Sequence, residues 1–355
     1  MTHGARLTGH GAVSTALALH SDRSLTGLLD TAVPIGSGIG GTSALLEVAG
    51  TPVFVKRVPL TDLERQPEHF RSTANLFGLP GFCQYGVGAI GGPGFGAWRE
   101  LAAHTMTTNW VISGEYEGFP LLYHWRVVPD AIPLPGELAD VERAVAYWGG
   151  GSAVRRRIRA LQYSTASLAL FLEYIPRNLH DWLGTRVEAR DGTAGPALAM
   201  VERGLEAGVS FMRSRGLLHF DAHFENILTD GERLYFTDWG LALSSRFELS
   251  PEETAFFERH RDHDRFHTLN HLVIWLVTAL YGLRGDDRAK WVRACARGER
   301  PTGVPGEAAA ILARHAPLAA VVSEFTGEFR HRSRQTPYPL RELGRIVRAP
   351  GPSAG

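Results

Sequence analysis

The chain has 355 residues, no composition extreme and a formal net charge of zero. That length suits two lobes, each able to bury a core, and the balanced charge argues against a general basic field for nucleic acid or an anionic membrane. The two cysteines, Cys83 and Cys295, lie far apart and in no metal-ligand spacing, which argues against a disulfide framework and suits a reducing cytoplasm.

Residues 1 to about 20 are rich in Gly, Thr and His and show weak periodicity, so a loose start is expected. No charged region followed by a long apolar run marks a signal peptide. Leu25 to Asp30 reads as a short helix or strand. Gly36, Gly38 and Gly41 then satisfy G-x-G-x-x-G. A dinucleotide fingerprint would open a helix at this point. Here Ala44–Ala49, a Gly-Thr-Pro turn and Val53–Val58 predict a hairpin of two strands. A glycine loop on a hairpin lets backbone N–H groups approach phosphates, because no Cβ intervenes. The hairpin carries Lys56, and Lys56 and Lys290 are the only lysines among 37 basic residues. A chain this averse to lysine keeps one where a compact point charge is needed and a planar guanidinium will not serve.

Thr61 to Phe77 reads as a helix, and Gly78 to Gly96 as a Gly/Pro loop. A second helix runs from Ala97 to about Ile112. Two acids are candidates to pair with Lys56. Glu100, early on the more apolar helix, is preferred to Glu68, which is closer to Lys56 in sequence. Leu121 to Val128 is a predicted strand and Glu137 to Trp148 a helix. Arg155, Arg156, Arg157 and Arg159 read as a solvated helix face. Ser167 to Leu172 is a buried strand leading into Glu173-Tyr174-Ile175-Pro176, where the backbone of Glu173 and Ile175 is placed to bond an adenine edge and Pro176 stiffens the connection.

A long helix over Pro196–Arg215 is ended by Gly216. Next comes His219-Phe220-Asp221-Ala222-His223-Phe224-Glu225-Asn226, between apolar runs, and twelve residues past Asn226 stands Asp238-Trp239-Gly240. The spacing fits phosphoryl transfer. Asp221 would accept the proton of an attacking hydroxyl, and Asn226 and Asp238 would hold Mg²⁺ on the phosphates of ATP. After Gly240 the chain is short before a helix starts at Pro251, and no A-P-E anchor follows. His260, Asp262, His263, Asp264 and His267 read as a polar helix start. Further helices are predicted over Phe266–Tyr281, Asp286–Arg297, Glu307–His315, Pro317–Arg330 and Arg341–Val347. Leu272 to Tyr281 is the longest apolar run and is too short to span a bilayer. Residues 349–355 read as a mobile tail.

Together the glycine loop, Lys56, His219-x-Asp221-x-His223-x-x-Asn226 and Asp238-Trp239-Gly240 resemble the protein-kinase-like superfamily over roughly residues 30 to 280. His223, two residues after the aspartate, makes the chain look more like the aminoglycoside phosphotransferase and choline kinase branch. That branch typically has glycine where Phe220 stands. The resemblance implies an α+β, bilobal, protein-kinase-like fold: an N-terminal lobe of antiparallel sheet and helices over 1–173, a hinge at 174–176, and a mostly helical catalytic lobe over 177–348. It also implies Asp221 as base, Asn226 and Asp238 as Mg²⁺ ligands, Lys56 as phosphate anchor, a structural His219, and His223 either touching phosphate or packing. The expected partners are ATP and a small hydroxyl acceptor (a sugar, nucleoside or aminocyclitol, an antibiotic included), with neither nucleic acid nor membrane. A Ser/Thr protein kinase with a reduced activation segment is the alternative, and a pseudokinase scaffold a third reading.

Overall fold

The first helix forms where a loose start is expected. In the computed structural model, which describes residues 1–38, 40–189 and 192–348, α1 spans His3–Ala18 and the Thr2 hydroxyl accepts the Ala5 N–H at 3.4 Å. Arg6, His10, Val13 and Leu17 recur at helical spacing, and Arg6, Val13 and Leu17 are buried. Two members of that stripe are polar, so apolar periodicity alone does not reveal the helix. The segment around Leu25 is helical: α2 covers Asp22–Leu29, capped by Ser21. The tail over 349–355 lies outside the described residues, as does Ile39 within the glycine stretch.

The chain is α+β, with a five-stranded antiparallel sheet in its N-terminal part and a helical C-terminal part. It divides into two compact units, one formed by Met1–Ile175 with Thr237–Phe257, the other by Pro176–Phe236 with the residues from Glu258 onward.

In the first unit β1 (Val33–Gly38), β2 (Gly41–Val48) and β3 (Thr51–Leu60) form a meander. The predicted helix over Thr61–Phe77 is only α3 (Asp62–Arg65), closed by a Thr61/Glu64 capping box, then a single 3₁₀ turn at Pro67–His69. Pro67 is the cause. It lacks an N–H to continue the helix and pushes Gln66 to extended backbone, with φ −58° and ψ 141°. Next come α4 (Ala97–Ile112) and β4 (Leu122–Pro129). The helix expected over Glu137–Trp148 is broken into α5 (Gly136–Ala139) and α6 (Val141–Tyr147), because Asp140 leaves helical geometry to cap Arg143 N–H at 3.0 Å. Then follow α7 (Ser152–Gln162) and β5 (Ala166–Glu173). The sheet order is β1-β2-β3-β5-β4.

The period of two along a strand places the key side chains. Val58 and Leu60 of β3, and Leu168, Leu170 and Leu172 of β5, pack against Ala97, Trp98 and Leu101 of α4. Lys56 has the parity of Val58 and so leaves β3 on the α4 side. Arg157 corrects the solvated-face reading of its cluster. It is buried, with Nη1 2.9 Å from Glu64 Oε2, and Glu64 also accepts the N–H of Ala97 at the start of α4. One buried carboxylate thus ties α3, α4 and α7 together.

The second unit opens with β6 (Arg177–Asn178) and α8 (Leu179–Glu188), then α9 (Ala194–Ser214) and the short β7 (Leu217–Leu218). Strands β8 (Ile227–Thr229) and β9 (Leu234–Phe236) form an antiparallel sheet with β6, in the order β6-β8-β9. The segment Thr237–Phe257 of the first unit holds β10 (Leu243–Ser244) and most of α10 (Pro251–Arg259). It is pinned there by Glu253 on Arg99 at 2.7 Å and by Glu248 on Ser72 and on the Thr73 and Ala74 N–H groups. The second unit continues with α11 (His263–Tyr281), α12 (Gly285–Ala296), α13 (Gly306–His331) and α14 (Leu340–Arg348). Where the sequence predicts two helices, α13 runs unbroken through Pro317. Ala316, Leu318 and Ala319 around the proline are buried, and that packing outweighs the lost backbone bond. By length and composition α13 is apolar enough to cross a membrane.

Candidate active site

Lys56 lies between two carboxylates. Its Nζ is 2.7 Å from Glu100 Oε1 and 2.7 Å from Asp238 Oδ1. Glu100 is the acid beside the lysine, whereas Glu68 sits exposed on the 3₁₀ turn. The three groups differ in access: the side chains of Lys56, Glu100 and Asp238 are 8 %, 2 % and 38 % exposed. Burial alone would lower the lysine pKa, but Asp238 and Glu100 outweigh it and hold the ammonium charged above the ordinary lysine range. Burial pushes the Glu100 carboxyl up to about 7, with Lys56 pulling down and Asp238 adding to the rise. Two carboxylates share one ammonium.

Two glycines that close the β1–β2 hairpin are fixed by sterics. A Cβ on Gly40 would stand 2.9 Å from Lys56 Nζ and 3.8 Å from Asp238 Oδ2. Gly41 has φ +121°, and a Cβ there would fall 1.9 Å from the Arg57 carbonyl oxygen. Gly36 and Gly38 lie on the exposed strand β1, and a Cβ on either meets nothing within 4 Å. The close approach therefore belongs to Gly40 and Gly41, and Gly36 and Gly38 take no part in it. Gly36→Ala should leave the melting temperature and nucleotide binding nearly unchanged, while Gly41→Ala should lower stability by about 1–3 kcal/mol and weaken Mg-ATP binding. Thermal melts with a titration of Mg-ATP check this, and equal effects of the two substitutions would refute it.

Glu173, expected to offer its backbone to adenine, is held from its side chain. Arg6 of α1 donates Nε to Oε1 at 2.9 Å and Nη2 to Oε2 at 2.7 Å, and bonds the carbonyls of Glu117 and Phe119. The Glu173 N–H is given to the Leu121 carbonyl at 2.8 Å, so that donor is not available to a base. Ile175 lies in the irregular segment after β5, half-buried.

In the second unit the His219–Asn226 loop hangs on one buried carboxylate. Asp264 of α11 accepts the His219 N–H at 2.6 Å and the Phe220 N–H at 2.9 Å. His219 is buried and its Nδ1 accepts the Asp221 N–H at 3.3 Å. Phe220 has φ 64°, a left-handed backbone that favours glycine. A non-glycine residue there is strained by about 1–3 kcal/mol, offset by burying its ring against His263 at 4.5 Å. Asn226 Nδ2 donates to the Asp221 carbonyl at 3.0 Å and to Oδ2 at 3.2 Å, which leaves its Oδ1 as the acceptor. His223 is bracketed, with Nδ1 2.8 Å from Glu225 Oε2 and Nε2 3.8 Å from Asp221 Oδ2. The hydrogen bond from His223 brings the Glu225 carboxyl to about 2. The polar helix start of the sequence thus contains the anchor Asp264, whose only signal there is an aspartate entering an apolar helix.

Next to this loop α11 carries an imidazole ladder: His263 stacks on His267 at 5.5 Å, and His267 lies 5.1 Å from His271. Burial, and then the charge of His223, push His271 down to about 3 from an ordinary 6.5. A histidine that resists its proton when folded takes it first when unfolded, so its contribution is complete above about 6.5 and declines as pH falls toward 3. The melting temperature should drop with acidification through that window, and His271→Asn should flatten the drop. An unchanged acid limb would refute the assignment.

Asp238 has an open flank and carries a carboxylate oxygen 3.8 Å from the position that a Gly40 Cβ would fill. Oxygen ligands beside a cradle without Cβ fit a hard cation bound with phosphate. Among the described residues no three or more His, Cys, Asp or Glu groups converge to hold a metal by themselves. Neither a protein-family model nor a curated protein matches the chain.

Proposed function

We propose that the chain is an ATP-dependent phosphotransferase of protein-kinase-like fold that moves the γ-phosphate to a hydroxyl of a small molecule. The observation that carries this reading is the buried ammonium of Lys56 held between Glu100 and Asp238 beneath Gly40.

In this reading Lys56 anchors the phosphates and Glu100 aims it. Asn226 and Asp238 supply the oxygens for Mg²⁺, which neutralises charge on the phosphates. Asp221 accepts the proton of the attacking hydroxyl. His223, fixed by Glu225, keeps its Nε2 toward Asp221. The short segment between Gly240 and α10, pinned to the first unit, provides no long platform for a peptide, which favours a small acceptor.

The test is ADP release from Mg-ATP across hydroxylated antibiotics, nucleosides, amino sugars and generic proteins. Acceptor-dependent release with a small molecule supports the proposal. Release only with proteins would move it to protein kinases, and failure to bind Mg-ATP at millimolar concentration would overturn it.

A further inference from the structure

The second unit contains a cavity of about 700 Å³ beside the His219–Asn226 loop, within the range of small-molecule sites. Glu225 and His271 form its edge nearest the proposed base, with His223 between them and Asp221. His271 lines the cavity, its ring lies 5.9 Å from that of His223, and His223 is 3.8 Å from Asp221. The cavity lining is sorted by charge. Asp181 and Glu188 of α8 and Glu225 of the loop are carboxylates, while Arg284 and Arg288, at the turn into α12, are guanidiniums. Trp275 provides an apolar surface between them, its indole N–H bonded to His180 at 3.2 Å.

The two arginines lack counter-ions. Neither has an ion-pair partner among the described residues, and the one hydrogen bond of Arg288 goes to the neutral Thr278 hydroxyl at 3.0 Å. Asp286 and Asp287, two and three residues after Arg284, do not line the cavity, and Asp287 is paired with Lys290. Burial and the repulsion of Arg284 and Arg330 disfavour the charge on Arg288. Like charges gathered at one end of a cavity, with no carboxylate paired to them, are relieved by an anion from outside. Guanidiniums recognise carboxylate and phosphate through paired hydrogen bonds.

We infer that the phosphate acceptor is a zwitterion: a small hydroxylated molecule whose amine faces Glu225 and Asp181 and whose carboxylate or phosphate group binds Arg284 and Arg288. This rests on the phosphotransferase reading. Glu225 of the cavity lining contacts His223 at 2.8 Å, and His223 lies 3.8 Å from Asp221, so the reacting hydroxyl lies toward the amine end. That hydroxyl oxygen bonds to the γ-phosphorus and its proton passes to Asp221. The bond from the γ-phosphorus to the bridging oxygen breaks, and its electron pair leaves with ADP. A purely polycationic acceptor would set charge against the two arginines.

The experiment uses the full chain and five matched hexoses: glucose, glucosamine, glucuronate, muramic acid and glucosamine 6-phosphate. Muramic acid and glucosamine 6-phosphate carry both charges and separate a carboxylate from a phosphate as the anion. Affinity is read by titration calorimetry, with kanamycin as the polycationic competitor. At least one zwitterion should bind about tenfold tighter than glucosamine or glucuronate, the size of one charge-assisted contact. Arg284→Gln/Arg288→Gln should bring it down to the glucosamine level. Arg284→Gln alone, at an exposed and unpartnered site, should do part of this without moving the melting temperature. The inference is overturned if glucosamine or kanamycin binds as tightly as the zwitterions, if the arginine variants bind unchanged, or if no zwitterion binds at 10 mM. Phosphate transfer to another acceptor that still requires Asp221 would then leave the phosphotransferase reading standing. Zwitterion binding that follows this order, without any Asp221-dependent transfer, would instead keep the binding site and remove the phosphotransferase reading.

Discussion

Asp221→Ala should reduce phosphate transfer by about 10³-fold, the typical weight of a positioned general base, and leave Mg-ATP binding largely intact. The loop is held by its backbone, through Asp264 to His219 and Phe220 and through His219 Nδ1 to Asp221 N–H. None of those bonds involves the Asp221 carboxylate, so its removal should not unravel the loop. Its Oδ2 accepts a side-chain bond from Asn226 at 3.2 Å, and Asn226 keeps its bond to the Asp221 carbonyl at 3.0 Å. The loss should therefore fall on kcat, with the nucleotide dissociation constant nearly fixed. Single-turnover kinetics with calorimetry of Mg-ATP separates the two. Retention of more than about a tenth of wild-type turnover would remove Asp221 from the role of base. Asp238→Ala is the contrasting case, because it should lose Mg-ATP binding as well.

Lys56→Met should act on both stability and activity. Removing the ammonium strands Glu100, 2 % exposed, and breaking a buried pair in this way typically costs about 3–5 kcal/mol. The penalty should be at the low end near neutral pH, since a carboxyl already at about 7 readily takes a proton. Transfer should fall by about 10²–10³-fold, as when one preorganised donor to a developing charge is lost. The double variant Lys56→Met/Glu100→Gln distinguishes fold from chemistry. It carries no stranded charge, so melting should recover toward wild type while transfer stays lost. Recovery of both would make the pair structural. Lys56→Arg should also fail, because Gly40 leaves no room for a planar fork above the ammonium.

The most legible part of this chain is where charge is scarce or spacing is rigid. Lys56 stands out because lysine is so rare, and strand parity then puts it on the α4 side, where Glu100 waits. The spacing of Asp221, Asn226 and Asp238 is readable for the same reason. What stays hidden depends on distant partners. Gly36 and Gly38 fit a pattern, but it is at Gly40 and Gly41 that a Cβ would meet Lys56 and the Arg57 carbonyl, and no local rule tells neighbouring glycines apart. Thr61–Phe77 has the pattern of one helix although Pro67 stands in the middle. Glu64, Arg157 and Asp264 look like surface charges in the sequence because their partners lie 93 residues away for the first pair and 45 residues away for Asp264 and His219.

The Arg6–Glu173 clamp spans 167 residues and the Lys56–Asp238 pair 182. On a ribosome moving at about 5–20 residues per second, Lys56 would wait roughly 10–40 s for its second counter-ion. The nascent N-terminal helix would meanwhile expose an arginine that belongs inside the protein. More than a third of the second unit is synthesised before the first can close. The chain is therefore most exposed to chaperones and proteases during its own translation, and slowing elongation between residues 175 and 237 should lower its soluble yield.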